Sequence, residues 1–217
     1  MIDFAAAREA MVDCQVRPSD VTRYPIIEAM LAIPREEYLP ESQRPVAYLG
    51  EHMPLAPGRV LLDPRVFAKM LDAINVTSSD LVLDIGCGRG YSSAVLARMS
   101  EAVIALEEVP ELAEQAEEIL SAQSVDNVIV ESGPLAEGVP GQGPYDAIII
   151  EGGVEVLPDA ITDQLKIGGR IVAIFLEGRG GQARLGIKMD HGIAWRRSFD
   201  ASAPKLSGFE TAKAFVF

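Results

Sequence analysis

The sequence predicts an α/β fold: a mostly parallel sheet with helices on both sides, N-terminal helices before it and an antiparallel hairpin at the C-terminal end. Three observations predict it. From residue 81 onward, apolar runs of strand length alternate with amphipathic stretches of helical length, the pattern that builds a parallel sheet. Residues 147–150 and 171–175 are apolar at every position, as strands buried on both faces are. Finally, Val82-Leu83-Asp84-Ile85-Gly86-Cys87-Gly88-Arg89-Gly90 reads as a buried strand running into a glycine loop that opens a helix, since glycine permits positive φ and close backbone approach.

The elements follow in order. Residues 3–15 predict a helix with Phe4, Ala7, Met11 and Cys14 on one face. Residues 22–32 predict a second, with Ile26, Ile27, Met30 and Leu31 inward and Pro34 as its stop. The stretch 40–62 is rich in proline and glycine and reads as an irregular connection. Asp63 and Pro64 suit the cap and first position of a third helix striped by Phe67, Met70, Leu71 and Ile74. Strands are then expected over 81–85, 102–106, 127–131, 145–150 and 170–175, with helices over 91–99, 110–122 and 157–166 between them. Strands over 183–189 and 193–199, joined at Asp190-His191-Gly192, form the hairpin, and a last strand is expected over 212–217.

Composition sets the bounds. The 217 residues suffice for one domain, divided here into N-terminal helices with a substrate-side loop (1–62) and an α/β core (63–217). A formal charge of −13 repels phosphate backbones, which argues against nucleic acid as a partner. Two cysteines, Cys14 and Cys87, give no disulfide framework, and no Cys/His cluster has metal-ligand spacing. Asp3, Arg8 and Glu9 interrupt the start of the chain as no secretion signal would tolerate, and no apolar run reaches membrane-spanning length. A cytoplasmic protein without a membrane partner is expected.

The glycine spacing selects the ligand. Gly86, Gly88 and Gly90 form G-x-G-x-G with Asp84 two residues ahead. A dinucleotide fingerprint needs a small residue at position 91, where Tyr91 stands, so a nicotinamide-dependent oxidoreductase is a distant reading. No Lys-Ser/Thr pair follows, which excludes a P-loop. The next strand ends at Glu107, where a carboxylate can accept both hydroxyls of a ribose; alternatively, Glu107 merely opens an acid-rich helix. Asp84 can order the loop through backbone hydrogen bonds and supply negative charge to a cationic ligand. Tyr91 fits either a cofactor stack or the core. This motif resembles the first motif of S-adenosylmethionine-dependent methyltransferases, which implies their Rossmann-like fold and S-adenosyl-L-methionine as cofactor.

Further residues extend the likeness. Arg17-Pro18-Ser19-Asp20, Ile33-Pro34-Arg35-Glu36-Glu37-Tyr38-Leu39-Pro40, Ala47-Tyr48, Met53-Pro54-Leu55 with Gly58, Pro144-Tyr145-Asp146-Ala147-Ile148-Ile149 and Gln164 to Arg170 together resemble the protein-L-isoaspartate O-methyltransferase family over nearly the whole chain. The resemblance implies methyl transfer to the free carboxylate of an isoaspartyl residue. It also implies cofactor contacts from Asp84, Gly86, Cys87, Gly88, Gly90, Glu107, Glu108, Pro134 and Leu135. Three departures surround one pocket. The family's Gly-Gln-Thr-Ile-Ser-x-Pro is Gly58-Arg59-Val60-Leu61-Leu62-Asp63-Pro64 here, so Val60 and Leu62 replace two hydroxyls. Gly-Asp-Gly becomes Gly133-Pro134-Leu135, without the adenine-contacting carboxylate, and Thr-Ala-Ala becomes Glu151-Gly152-Gly153.

Glu151 is therefore the candidate catalytic residue. It could serve as general base toward an amine or hydroxyl, or it could be a turn residue facing solvent. Unless protonated or paired, it would repel a carboxylate acceptor. The expected function is methyl transfer to a protein, peptide or small-molecule acceptor, with isoaspartyl activity weak or absent. The rival is a non-catalytic protein that binds the same cofactor. Arg65, His52 and His191 read as surface or structural residues.

Overall fold

The computed structural model of the protein describes residues 2–178 and 180–211; the strand expected over 212–217 lies outside them. A two-stranded ribbon, β1 (Met53–Ala56) and β2 (Arg59–Leu61), precedes the main sheet. That sheet holds β3 (Leu81–Ile85), β4 (Ala102–Glu107), β5 (Val128–Ser132), β6 (Tyr145–Val154), β7 (Leu165–Glu177), β8 (Gly180–Met189) and β9 (Gly192–Asp200). Their spatial order is β5-β4-β3-β6-β7-β8-β9. Strands β3 to β7 pair in parallel, and β8 and β9 add the antiparallel hairpin. The chain steps outward from β3 in one direction, then returns to place β6 on its other side. The connections leave β3 and β6 in opposite directions, so the carboxyl ends of these two strands mark the switch point at which folds of this kind form their ligand crevice. This is the Rossmann-like methyltransferase fold.

Helices α1 (Phe4–Met11), α2 (Tyr24–Ala32), α3 (Pro64–Ile74), α4 (Tyr91–Ala97) and α5 (Pro110–Ala122) contribute to the larger core on one sheet face. Short α6 (Asp159–Thr162) and the segment 201–209 cover the other, through Ile161, Leu206 and Phe209. Helix α3 forms as its sequence dictates. The Asp63 carboxylate accepts from the amides of Arg65 (2.7 Å) and Val66 (3.2 Å), satisfying orphan donors of the first turn. Phe67, Met70, Leu71 and Ile74 are all buried.

Four local expectations fail for identifiable reasons. After Met11 the first helix continues as a π-turn over Val12–Val16. The widened turn rotates the apolar face, so Val12 and Val16 are buried while Cys14 is exposed. Leu31 is also partly exposed, and Ala29 packs inward in its place. The stretch expected to be irregular contains the β1–β2 ribbon, paired through Met53↔Leu61 and Pro54↔Val60. The helix expected over 157–166 keeps four residues. Parallel pairing of Leu165 with Tyr145 claims its end, and the Gln164 side chain is drawn into bonds with Glu137, Val139 and Ala160. Tertiary pairing here overrides local propensity.

Candidate functional site

The glycine loop sits at the crevice with Gly86 at φ +84°, Gly88 at +59° and Gly90 at +89°, all in the left-handed region that a side chain disfavours. Backbone bonds hold it: the amides of Gly86 (2.7 Å) and Cys87 (3.2 Å) donate to the Leu106 carbonyl, and that of Gly90 donates to Cys87 (2.9 Å). A Cβ on Gly86 would lie 2.7 Å from Arg59 Nη2, and one on Gly88 2.6 Å from Leu55 Cδ1. The space these glycines leave open is thus filled by the chain's own β1–β2 ribbon.

Glu107 stands at the end of β4 and is fully buried, as a strand-end residue rather than the start of a solvated helix. Its Oε1 accepts from Arg59 Nε (3.1 Å) and from the amides of Glu108 (3.0 Å) and Val109 (3.1 Å). Its Oε2 accepts from Arg59 Nη2 (2.7 Å) and the Gly88 amide (2.8 Å). Arg59 and Glu107 are therefore a bidentate, desolvated ion pair. Burial lowers the Arg59 pKa, but the Glu107 hydrogen bonds and charge more than offset this and hold it above its usual value.

Asp84 is also fully buried. It does not bond the loop backbone as expected; its Oδ2 accepts from the hydroxyls of Ser92 (2.7 Å) and Ser93 (2.6 Å) in α4. Burial pushes its pKa up to about 6, against those two hydroxyls and the Arg59 charge. Glu151 is no solvent-facing turn residue. It lies within β6, which runs on to Val154, and is 4% exposed. Burial, then the neighbouring Asp84 charge, raises its pKa well above the carboxylate range, more than Arg59 and Arg35 can offset. Cys87 is buried, and the loss of solvent raises its thiol likewise.

Around this cluster several buried polar atoms find no hydrogen-bond partner: Asp84 Oδ1, Glu151 Oε1, Arg59 Nη1, Arg35 Nη1 and the Tyr91 hydroxyl. Buried polar groups are almost always paired, so this constellation has hydrogen-bonding capacity in hand for a polar guest. The loop, Asp84 and Glu107 fit an adenosyl cofactor in kind, with Glu107 already engaged by Arg59.

The remaining expected contacts are dispersed. Glu108 is half-buried beside Ser207, and burial raises its pKa. Leu135 packs into the core with Leu106 and Ile148, while Pro134 is exposed. Leu62 is buried, and its carbonyl accepts from Arg35 Nη2 at 2.7 Å. Tyr91 is core, edge-on to Tyr38 with ring centroids 5.7 Å apart. Arg65 and His191 are exposed.

Two buried residues of the candidate site escaped sequence reasoning. Arg59 is one; its partner lies 48 positions away, a pairing no local pattern signals. Arg35 is the other, fully buried, donating to Ala47 and Leu62 and lying 5.1 Å from the Tyr91 ring. His52 proves structural. Its Nδ1 accepts from the Asp63 amide (2.9 Å), so Nε2 carries the proton and donates to the Ser202 carbonyl (2.8 Å). That bond joins the β1–β2 ribbon to the segment 201–209, which crosses the end of β6 through a bridge at Gly153 and Lys205.

Comparison with known proteins agrees with this fold. A family model described as protein-L-isoaspartate(D-aspartate) O-methyltransferase matches residues 6–190. Protein-L-isoaspartate O-methyltransferase 1 of Rhodopseudomonas palustris (strain HaA2) is 38% identical over 169 residues, 78% of this chain and 69% of that one. Protein-L-isoaspartate O-methyltransferase 2 of Marinobacter nauticus is 36% identical over 170 residues, 78% of each chain. A solved protein-L-isoaspartate O-methyltransferase superposes with TM-score 0.81 at 26% identity, over 93% of this chain and 66% of that one. In fold alone, a Plasmodium falciparum protein solved with S-adenosyl-L-homocysteine is similar too, at TM-score 0.79 and 21% identity, over 95% and 99% of the two chains. The chain belongs to the protein-L-isoaspartate(D-aspartate) O-methyltransferase family.

Proposed function

We propose that this chain is an S-adenosylmethionine-dependent methyltransferase whose acceptor is a carboxylate on a protein or peptide. The carrying observation is a juxtaposition at the crevice. The glycine loop and Glu107 lie at the ends of β3 and β4, and the buried Glu151, with Oε1 unpartnered, stands on β6 one residue past Ile150, which pairs with Ile85 at the end of β3. When bound, S-adenosylmethionine supplies a methyl group on a cationic sulfonium, open to in-line displacement. Gly86 to Gly90 would admit it against bare backbone, Glu107 would accept from its ribose hydroxyls, and Asp84 would lend negative charge near the sulfonium. Alignment supplies most of the rate in such a transfer, because a carboxylate is already nucleophilic.

Glu151 bears on the acceptor. Burial beside Asp84 raises its pKa and so favours the protonated form, which speaks against a general base and weakens the expected repulsion of a carboxylate. A buried, protonated carboxyl can instead donate a hydrogen bond. Glu151 would thus hold one oxygen of the acceptor in place of the hydroxyl that Leu62 lacks, leaving the other oxygen to attack.

The test is transfer from methyl-labelled S-adenosylmethionine to an isoaspartyl peptide and its aspartyl twin, scoring label released as methanol in mild base. E151Q, which keeps an N–H donor, should retain more activity than E151A. Equal rates for E151A and wild type would remove Glu151 from the mechanism. No base-labile transfer to any peptide would defeat the carboxylate reading.

A further inference from the structure

Glu107 offers roughly four lone-pair positions as a carboxylate, yet it already accepts five hydrogen bonds, two of them from Arg59. Three of the five come from backbone amides that fix the loop and the turn after β4. Two further hydroxyl donors cannot be added while the guanidinium stays. Arg59 also lies against Gly86, and Leu55 of the same ribbon against Gly88, so the ribbon fills the close-approach space of the loop as well as its acceptor. The ribbon is held from outside by His52 on Ser202. We infer that Arg59 is an internal occupant of the cofactor site: with the β1–β2 ribbon it forms a lid that pairs Glu107 and fills the glycine loop, and the cofactor binds only after the lid withdraws.

This inference rests on the cofactor assignment proposed above and adds its regulation. The lid and the cofactor compete for the same oxygens of Glu107. Apparent affinity is then the intrinsic affinity reduced by the fraction of molecules with the lid open. Anything that draws Arg59 out, such as an acidic peptide substrate offering it a carboxylate, would couple acceptor binding to cofactor binding. Glutamine is a neutral side chain that cannot form the ion pair, so R59Q is the natural probe.

The experiment is titration calorimetry of S-adenosylhomocysteine into wild type, R59Q and L55A, with hydrogen exchange of residues 53–61 in the wild type. R59Q should bind at least about tenfold more tightly than wild type, equivalent to about 1.4 kcal/mol. L55A, which loosens the ribbon without exposing a buried charge, should also bind more tightly. Saturating ligand should speed exchange across 53–61 in the wild type. If the wild type binds but R59Q and L55A bind no more tightly, or ligand leaves exchange across 53–61 unchanged, the lid is refuted and the cofactor assignment stands. If neither wild type nor either variant binds, both the lid and the cofactor assignment fall. Should R59Q fail to fold, L55A and the wild-type exchange decide alone.

Discussion

The Arg59–Glu107 pair allows an asymmetric stability prediction. In E107Q one carboxylate that serves Arg59 Nε and Nη2 and the amides of Gly88, Glu108 and Val109 becomes an amide with a single acceptor oxygen. Its NH2 group would face donors head-on, and Arg59, 2% exposed, would keep its charge but lose the carboxylate it is hydrogen-bonded to. Removing one partner of a buried pair destabilises by about 3–5 kcal/mol. For a chain of this length that lowers the melting temperature by about 6–20 °C. In R59Q the carboxylate keeps its three backbone donors, so the loss should be smaller, about 1.5–3 kcal/mol for hydrogen bonds to a charged group. Thermal denaturation followed by circular dichroism measures both. A fall of less than about 3 °C in E107Q, or a larger fall in R59Q than in E107Q, would refute the reasoning.

Three further outcomes follow from the same geometry. Asp84 is raised from 3.8 to about 6 in the fold, and Glu151 is raised well above its usual 4.5. The stability these bound protons contribute is full below about pH 4 and is lost as pH rises through the folded values. The E151Q variant should therefore gain stability relative to wild type between pH 5 and pH 8; urea unfolding at both pH values checks it, and a constant difference would sink the idea. G88A forces a side chain into φ +59° and against Leu55, destabilising by about 2 kcal/mol or more; adding L55A should recover the steric part but not the backbone strain. H52A removes the link between Asp63 and Ser202 and should lower stability by about 1 kcal/mol, with faster amide exchange across 53–61 as its signature.

Much of the fold was legible because its signals are local. Strand β3 and helix α5 fall where apolar runs and caps placed them, over 81–85 and 110–122, since burial on a repeating face leaves a period in the sequence. Asp84, Glu107 and the glycines were legible from spacing, because a strand–loop–helix unit fixes how far apart its strand ends lie. Glu151 was legible as a departure from the family pattern, but the upward shift of its pKa was not. That depends on burial beside Asp84, two strands brought together from positions 67 apart. The β1–β2 ribbon hid behind Pro54, Pro57 and Gly58, residues that locally argue against strands.

Sequence alone thus determined the strands of the main sheet and the residues at the ends of its first two, because hydrophobic period and glycine spacing are written along the chain. Tertiary structure decided what those residues meet. Arg59 becomes the partner of Glu107 only when the ribbon folds across the loop, and the Glu151 pKa rises only once water is gone. Both are properties of a dielectric and a distance, and neither exists until the chain has closed on itself.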